Sequence, residues 1–109
     1  MRVIAIRTLR QFWEVHADAE QPLRAWYQDA KAAEWSTPQH IKVAYANASI
    51  INGERVVFNI KGNDYRLLVS VNFRQKAAYV IWFGTHKEYD KINTVTIEFN
   101  TSILEYKTK

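Results

Sequence analysis

Residues 55–84 read RVVFNIKGNDYRLLVSVNFRQKAAYVIWFG, and their period decides the fold. RVVFNI (55–60), YRLLVSVNF (65–73) and AYVIWFG (78–84) are short runs rich in β-branched and aromatic residues. KGND (61–64) and RQK (74–76) separate them with turn chemistry, so three antiparallel strands in a meander are expected. If RQK closes a hairpin with Phe73 opposite Ala77, Arg66 falls opposite Gly84. KGND likewise pairs Lys61 with Asp64. Period two sends Leu67, Val69, Val71 and Phe73 to one face and Arg66, Ser70, Asn72 and Arg74 to the other, a core face and a polar face. At about 3.3 Å per residue, Arg66 and Arg74 lie roughly 26 Å apart and do not share one reacting centre.

Upstream the period lengthens. RVIAIR (2–7) alternates like a first strand, and Thr8 is placed to cap a helix carrying Leu9, Phe12, Trp13 and His16 on one stripe. Pro22 suits a first helical position and leads Leu23, Trp26, Tyr27 and Ala30, which completes a helical hairpin with an aromatic seam. Ser36 and Gln39 stand at capping-box spacing before a third stripe of Ile41, Ala44, Tyr45 and Ala48.

The 109 residues are 48% hydrophobic and 24% charged, with four Trp, six Tyr and five Phe. That is core material for one domain, 1–109, and excludes intrinsic disorder. The stretch 98–109 is assigned no role. No cysteine is present, which removes disulfides, thiolate metal sites and cysteine nucleophiles. MRVIAIRTLR is charged within ten residues and no run is long enough to span a bilayer, so a soluble cytoplasmic protein with no membrane partner is expected. A formal charge of +4 fits an anionic partner, either nucleic acid or an acidic protein.

The strand register gives GTHKEYDKI (84–92) its chemical interest. Lys61, Arg66, His86 and Tyr89 are expected to converge at one sheet edge as a catalytic set. Lys and Arg neutralise charge on phosphoryl oxygens, while His and Tyr move protons. No DxD, HExxH or cysteine pattern occurs, so a reaction without metal or cofactor is expected, and for RNA the natural route is attack by a 2′-hydroxyl on its own phosphate. Asp90 stays outside this set as a turn cap or a partner of Lys91. Asn59 and Asn72 need no function, Gly62-Asn63 serves a turn requiring positive φ, and His16 and His40 are structural, His16 within the helical seam.

VVFNIKGNDYRLLVSV (56–71) followed by GTHKEYDKI resembles the HigB toxins of the RelE-like superfamily, with the resemblance running from Arg2 to about Ile97. It implies an α+β fold, with N-terminal helices packed on a curved antiparallel β-sheet. It also implies a type II toxin that cuts mRNA on the ribosome without metal, as an endoribonuclease silenced by a HigA-type helix-turn-helix antitoxin. Carried over by motif, Lys61 and Arg66 are the phosphate-binding cations, and His86 and Tyr89 the proton-transfer side. Arg55, Arg74, Lys76 and Lys87 are assigned to RNA contact. Two other readings stand beside this one: a noncatalytic basic RNA- or ribosome-binding module, and a domain whose basic face takes an acidic protein.

Overall fold

A computed structural model describes residues 1–97; the stretch 98–109, left without a role above, lies outside the described residues. β1 (Arg2–Ile4) leads into α1 (Ile6–Val15), a 3-10 turn (Ala17–Ala19) and α2 (Glu20–Ala32). α3 (Pro38–Ala44) and the two-residue β2 (Ser49–Ile50) precede β3 (Arg55–Ile60), β4 (Tyr65–Asn72), β5 (Ala77–Thr85) and the one-turn α4 (His86–Tyr89). The fold is α+β, as expected. The sheet order is β1-β5-β4-β3-β2, and the sheet is mixed rather than antiparallel throughout because β1 runs parallel to β5.

The N-terminal boundaries differ from those expected. β1 stops at Ile4 because Ala5 takes φ 74°, and α1 starts at Ile6 with no side-chain cap. Thr8 is therefore a buried residue of the first turn and not a cap. The early start brings Leu9 and Phe12 fully onto the core, a gain that offsets the roughly 1–2 kcal/mol of a left-handed alanine. Pro22 sits third in α2 rather than first, still within the turn whose N–H groups have no helical partner. The Met1 ammonium donates to the carbonyls of Ala30, Lys31 and Ala33, which places a cation at the negative end of α2. Thr37, not Ser36, caps α3: its hydroxyl accepts from the His40 N–H while Pro38 occupies the first turn. His40 Nδ1 in turn accepts from the Ser36 N–H at 3.0 Å.

The main core lies between the helices and one sheet face. Leu9, Phe12, Leu23, Trp26 and Ile41 meet Val56, Phe58, Leu67, Val69, Val71, Val80 and Phe83. Trp26 packs edge-on to Phe58 at 5.4 Å, and Phe12 stacks on Phe83 at 5.3 Å. His16 does not join Trp13 and Trp26 in the helical seam; its ring meets Tyr65 and Phe83 of the sheet at 5.1 and 5.7 Å.

The opposite face is not simply polar. Val57, Leu68 and Trp82 form a second buried cluster, packed by Ile51, Ile81, Tyr89, Ile92 and Ile97. Leu68 alternates with Leu67 as period two demands, so its apolar character belonged to this face from the start. The segment after α4 covers it.

The β4–β5 register joins two offsets. Next to the RQK turn it is Asn72, not Phe73, that faces Ala77. A bulge at Leu68/Val69 then leaves Ile81 unpaired between Val80 and Trp82, and the ladder resumes with Leu67 opposite Phe83 and Arg66 opposite Gly84. The expected Arg66–Gly84 pairing holds, although the turn from which it was counted is one residue longer.

Candidate active site

The site forms where the β3–β4 turn meets α4. Ile60 pairs with Tyr65, and the Asp64 N–H donates to the Lys61 carbonyl at 3.2 Å. The positive φ values fall on Lys61 (54°) and Gly62 (63°), one residue earlier than the expected Gly62-Asn63. The Asp64 carbonyl then accepts from the His86 N–H at 3.0 Å, which ties the turn to the start of α4. α4 is a single turn, yet Thr85 and Glu88 close a reciprocal capping box around it. Asn63, Asp64, Tyr65, Thr85, His86 and Lys87 line an open depression of about 550 Å³.

Arg66 is fixed at this edge. Nη1 donates to the carbonyls of Asn63 and Tyr65 at 3.0 and 3.1 Å, and Nη2 to Asn63 Oδ1 at 2.9 Å. Its guanidinium lies 5.9 Å from the centre of the Tyr89 ring, a cation–π distance. Behind Tyr89 stands Trp82, with ring centres 6.3 Å apart. Gly84 makes this stack possible: a Cβ there would come within 2.7 Å of the Trp82 ring and 2.9 Å of Glu88 Oε1. Trp82, Gly84, Tyr89 and Arg66 thus form one packed assembly that holds the guanidinium beside Asn63, a residue of the depression's lining.

His86 is exposed at the first position of α4, its Nε2 3.9 Å from Asp90 Oδ1. Asp90, set aside as a turn cap or a partner of Lys91, takes its place at the end of α4, where its N–H donates to the His86 carbonyl.

Lys61 occupies a different setting. Its ammonium is 2.9 Å from Asp18 Oδ2 and 3.5 Å from Asp64 Oδ2. The other Asp18 oxygen accepts the Tyr65 hydroxyl at 2.6 Å. The hydrogen bond that the ammonium donates to Asp18 holds the Lys61 pKa above its ordinary value, with Asp64 adding in the same direction. Asp18 in turn is held below the usual carboxylate value, first by Tyr65 and then by Lys61, and the Tyr65 phenol is raised by its bond to Asp18. Of the four residues assigned to catalysis, the structure brings Arg66 and Tyr89 into contact and puts His86 on the same helical turn as Tyr89. Lys61 is directed instead to a carboxylate from the helical layer.

The expected RNA contacts divide as well. Arg55 Nη1 donates to the carbonyls of Thr94 and Ile97, so this half-buried guanidinium pins the segment that covers the second cluster. Arg74 and Lys76 lie exposed in the β4–β5 turn, at the far end of the sheet from Arg66. Lys87 is exposed on the rim of the depression. Among the described residues, no group of three or more His, Asp or Glu side chains is gathered as metal ligands.

Asp18 and Trp82 were not expected at the site, and Gly84 was expected only as the strand partner of Arg66. Asp18 is 43 positions from Lys61, and nothing local announces that contact. Trp82 and Gly84 carried a usable signal, because the register put Gly84 opposite Arg66 and left a gap in the side-chain row for a neighbouring ring.

Helices backing a five-stranded mixed sheet, with an arginine, a tyrosine and a histidine gathered at one end of its central strands, define a small α+β protein. Residues 19–92 match the family described as HigB_toxin, the RelE-like toxic component of a toxin-antitoxin system, and the chain belongs to that family. The match is narrower than the resemblance drawn from Arg2 to Ile97, leaving out β1 and α1. The chain is also 29% identical over 72 residues to the mRNA interferase HigB of Escherichia coli O6:H1, an alignment covering 64% of this chain and 70% of that protein. No helix among the described residues is long and apolar enough to cross a membrane.

Proposed function

We propose that this toxin is an mRNA endoribonuclease that cuts messages on the translating ribosome, hence in the cytoplasm, without a metal, and is silenced by a HigA-type helix-turn-helix antitoxin. The observation that carries the reading is Arg66, tied down by three hydrogen bonds and laid against Tyr89, with His86 on the same turn at an open depression. A guanidinium whose position is set before substrate arrives pays no reorganisation when charge develops on the phosphoryl oxygens.

In the proposed reaction the 2′-hydroxyl loses its proton, its oxygen bonds to the adjacent phosphorus, and the bond from phosphorus to the 5′-oxygen breaks as that oxygen is protonated. The products are a 2′,3′-cyclic phosphate and a free 5′-hydroxyl. His86 and Tyr89 share the two proton transfers, while Arg66, with Lys61 as second cation, stabilises the phosphorane-like charge. Lys87 at the rim and Arg74 and Lys76 at the far turn hold RNA backbone away from the reacting centre.

The test is to map message 5′ ends after brief induced expression, with His86→Ala alongside. Internal 5′-hydroxyl ends that accumulate with time and vanish in the variant support the reading. Intact transcripts under induction would leave a noncatalytic RNA- or ribosome-binding module in its place.

A further inference from the structure

Asp18 lies outside the sequence motifs of the site, yet the 3-10 turn between α1 and α2 delivers it there. One of its oxygens holds the Lys61 ammonium at 2.9 Å and the other accepts the Tyr65 hydroxyl at 2.6 Å. Tyr65 is itself fixed, since its ring is buried and stacks on Phe83 with centres 5.1 Å apart. The orientation of this carboxylate is therefore set by the core, even though the carboxylate is exposed. Asp64 adds a second carboxylate 3.5 Å from the same ammonium. Two negative oxygens facing one lysine reproduce what a phosphodiester offers. Together, two carboxylates and one ammonium carry a net negative charge, so Lys61 offers RNA no free positive charge while it stays among them.

We propose that Asp18 is a positioning residue that stands in for the substrate phosphate: it holds Lys61 when no RNA is bound and gives it up when RNA arrives. The proposal rests on the reading of Lys61 as a phosphate-binding cation. The Tyr65 hydroxyl keeps Asp18 in place after the exchange, so the vacated carboxylate remains negative and takes up a cation from solution. That uptake partly cancels the counterion release that accompanies a new lysine–phosphate contact.

The test compares Asp18→Asn, Lys61→Ala and the double variant. Asparagine keeps an acceptor for Tyr65, and a thermal melt checks that each protein is folded. Binding of an uncleavable 2′-O-methyl RNA oligonucleotide is followed by fluorescence anisotropy across a salt series, with KM measured on message-programmed ribosomes. Asp18→Asn is expected to tighten RNA binding roughly two- to fivefold, the scale of releasing an exposed ion pair. It is also expected to steepen the slope of log affinity against log salt by up to about 0.7, the full value of one single-strand phosphate contact that cation uptake no longer offsets in part. KM falls, and the gain disappears when Lys61→Ala is added. A purely structural Asp18 gives weaker binding or an unchanged slope in Asp18→Asn, and either result overturns the proposal. If Lys61→Ala is impaired while Asp18→Asn matches the native protein, only the exchange is lost and the catalytic reading stands. If Lys61→Ala binds and cuts like the native protein, the assignment of Lys61 fails and the exchange fails with it.

Discussion

The two ends of β4 each carry an arginine, and they are built differently. Arg66, near the start of the strand, has both terminal nitrogens engaged and a tyrosine ring beneath it. Arg74, just past the other end, stands exposed in a turn whose Lys76 takes φ 54°. A cation held by backbone carbonyls and a packed ring has surrendered its rotamer freedom before substrate binds. One on an exposed turn must order itself at each encounter, at about 0.5–1.5 kcal/mol. The first arrangement suits work that needs a fixed position, and the second suits generic attraction for a polyanion. The same residue type at the two ends of one strand is thus given two different settings.

The sharpest way to break this contrast is to strip the held end. Removing a positioned proton-transfer group costs about 10²–10⁴ in rate, so His86→Ala should fall in that range when single-turnover cleavage of ribosome-bound message is timed. Arg66→Ala follows at about 10²–10³, the scale for one preorganised charge-stabilising donor. Equal small losses in both variants would mean that the held end does no more than the free one.

Gly84→Ala tests whether the holding itself matters. The added Cβ meets the Trp82 ring at 2.7 Å, and Trp82 is buried behind Tyr89, so the ring has to shift or the strand has to bend. Overpacking of this kind costs about 1–3 kcal/mol, and for a chain of this size each kcal/mol lowers the melting temperature by roughly 4–8 °C. Assayed well below its melting temperature, the variant should still cut more slowly than the native protein, because Tyr89 and the guanidinium above it are displaced. Full activity in a folded Gly84→Ala protein would detach the stack from catalysis.

The held end was more legible in sequence than its details. Alternation along 55–84 gave three strands and the Arg66–Gly84 pairing, because period two and short turns constrain a meander strongly. The count began one residue off at RQK and was restored by the bulge, which no pattern in YVIWFG marks. Leu68 was passed over because a single leucine between polar neighbours does not announce a second cluster; the cluster exists only once residues 89–97 fold back over it. Thr8 and Ser36 looked like caps by residue type, but burial of Leu9 and the position of Pro38 moved the helix starts. The tie between Asp18 and Lys61 joins two elements through tertiary packing alone. Contacts of that kind leave no local spacing to read.

The smallest expected effect belongs to the free end. Arg74→Ala removes one exposed charge and, among the described residues, no hydrogen bond, so stability should change by no more than about 0.5 kcal/mol. If Arg74 meets RNA backbone, affinity for message drops several-fold for every sequence alike, and the salt slope becomes shallower by about one contact, roughly 0.7. Turnover of bound message should be untouched, because the extended strand from Arg66 to Asn72, roughly 20 Å long, separates Arg66 from the turn that carries Arg74. A salt titration of binding, set beside single-turnover cleavage at saturating protein, separates the two quantities. A loss confined to binding keeps the ends of β4 distinct in function. A loss in the cleavage step would place Arg74 within reach of the reacting phosphate, which an extended strand of eight residues does not allow.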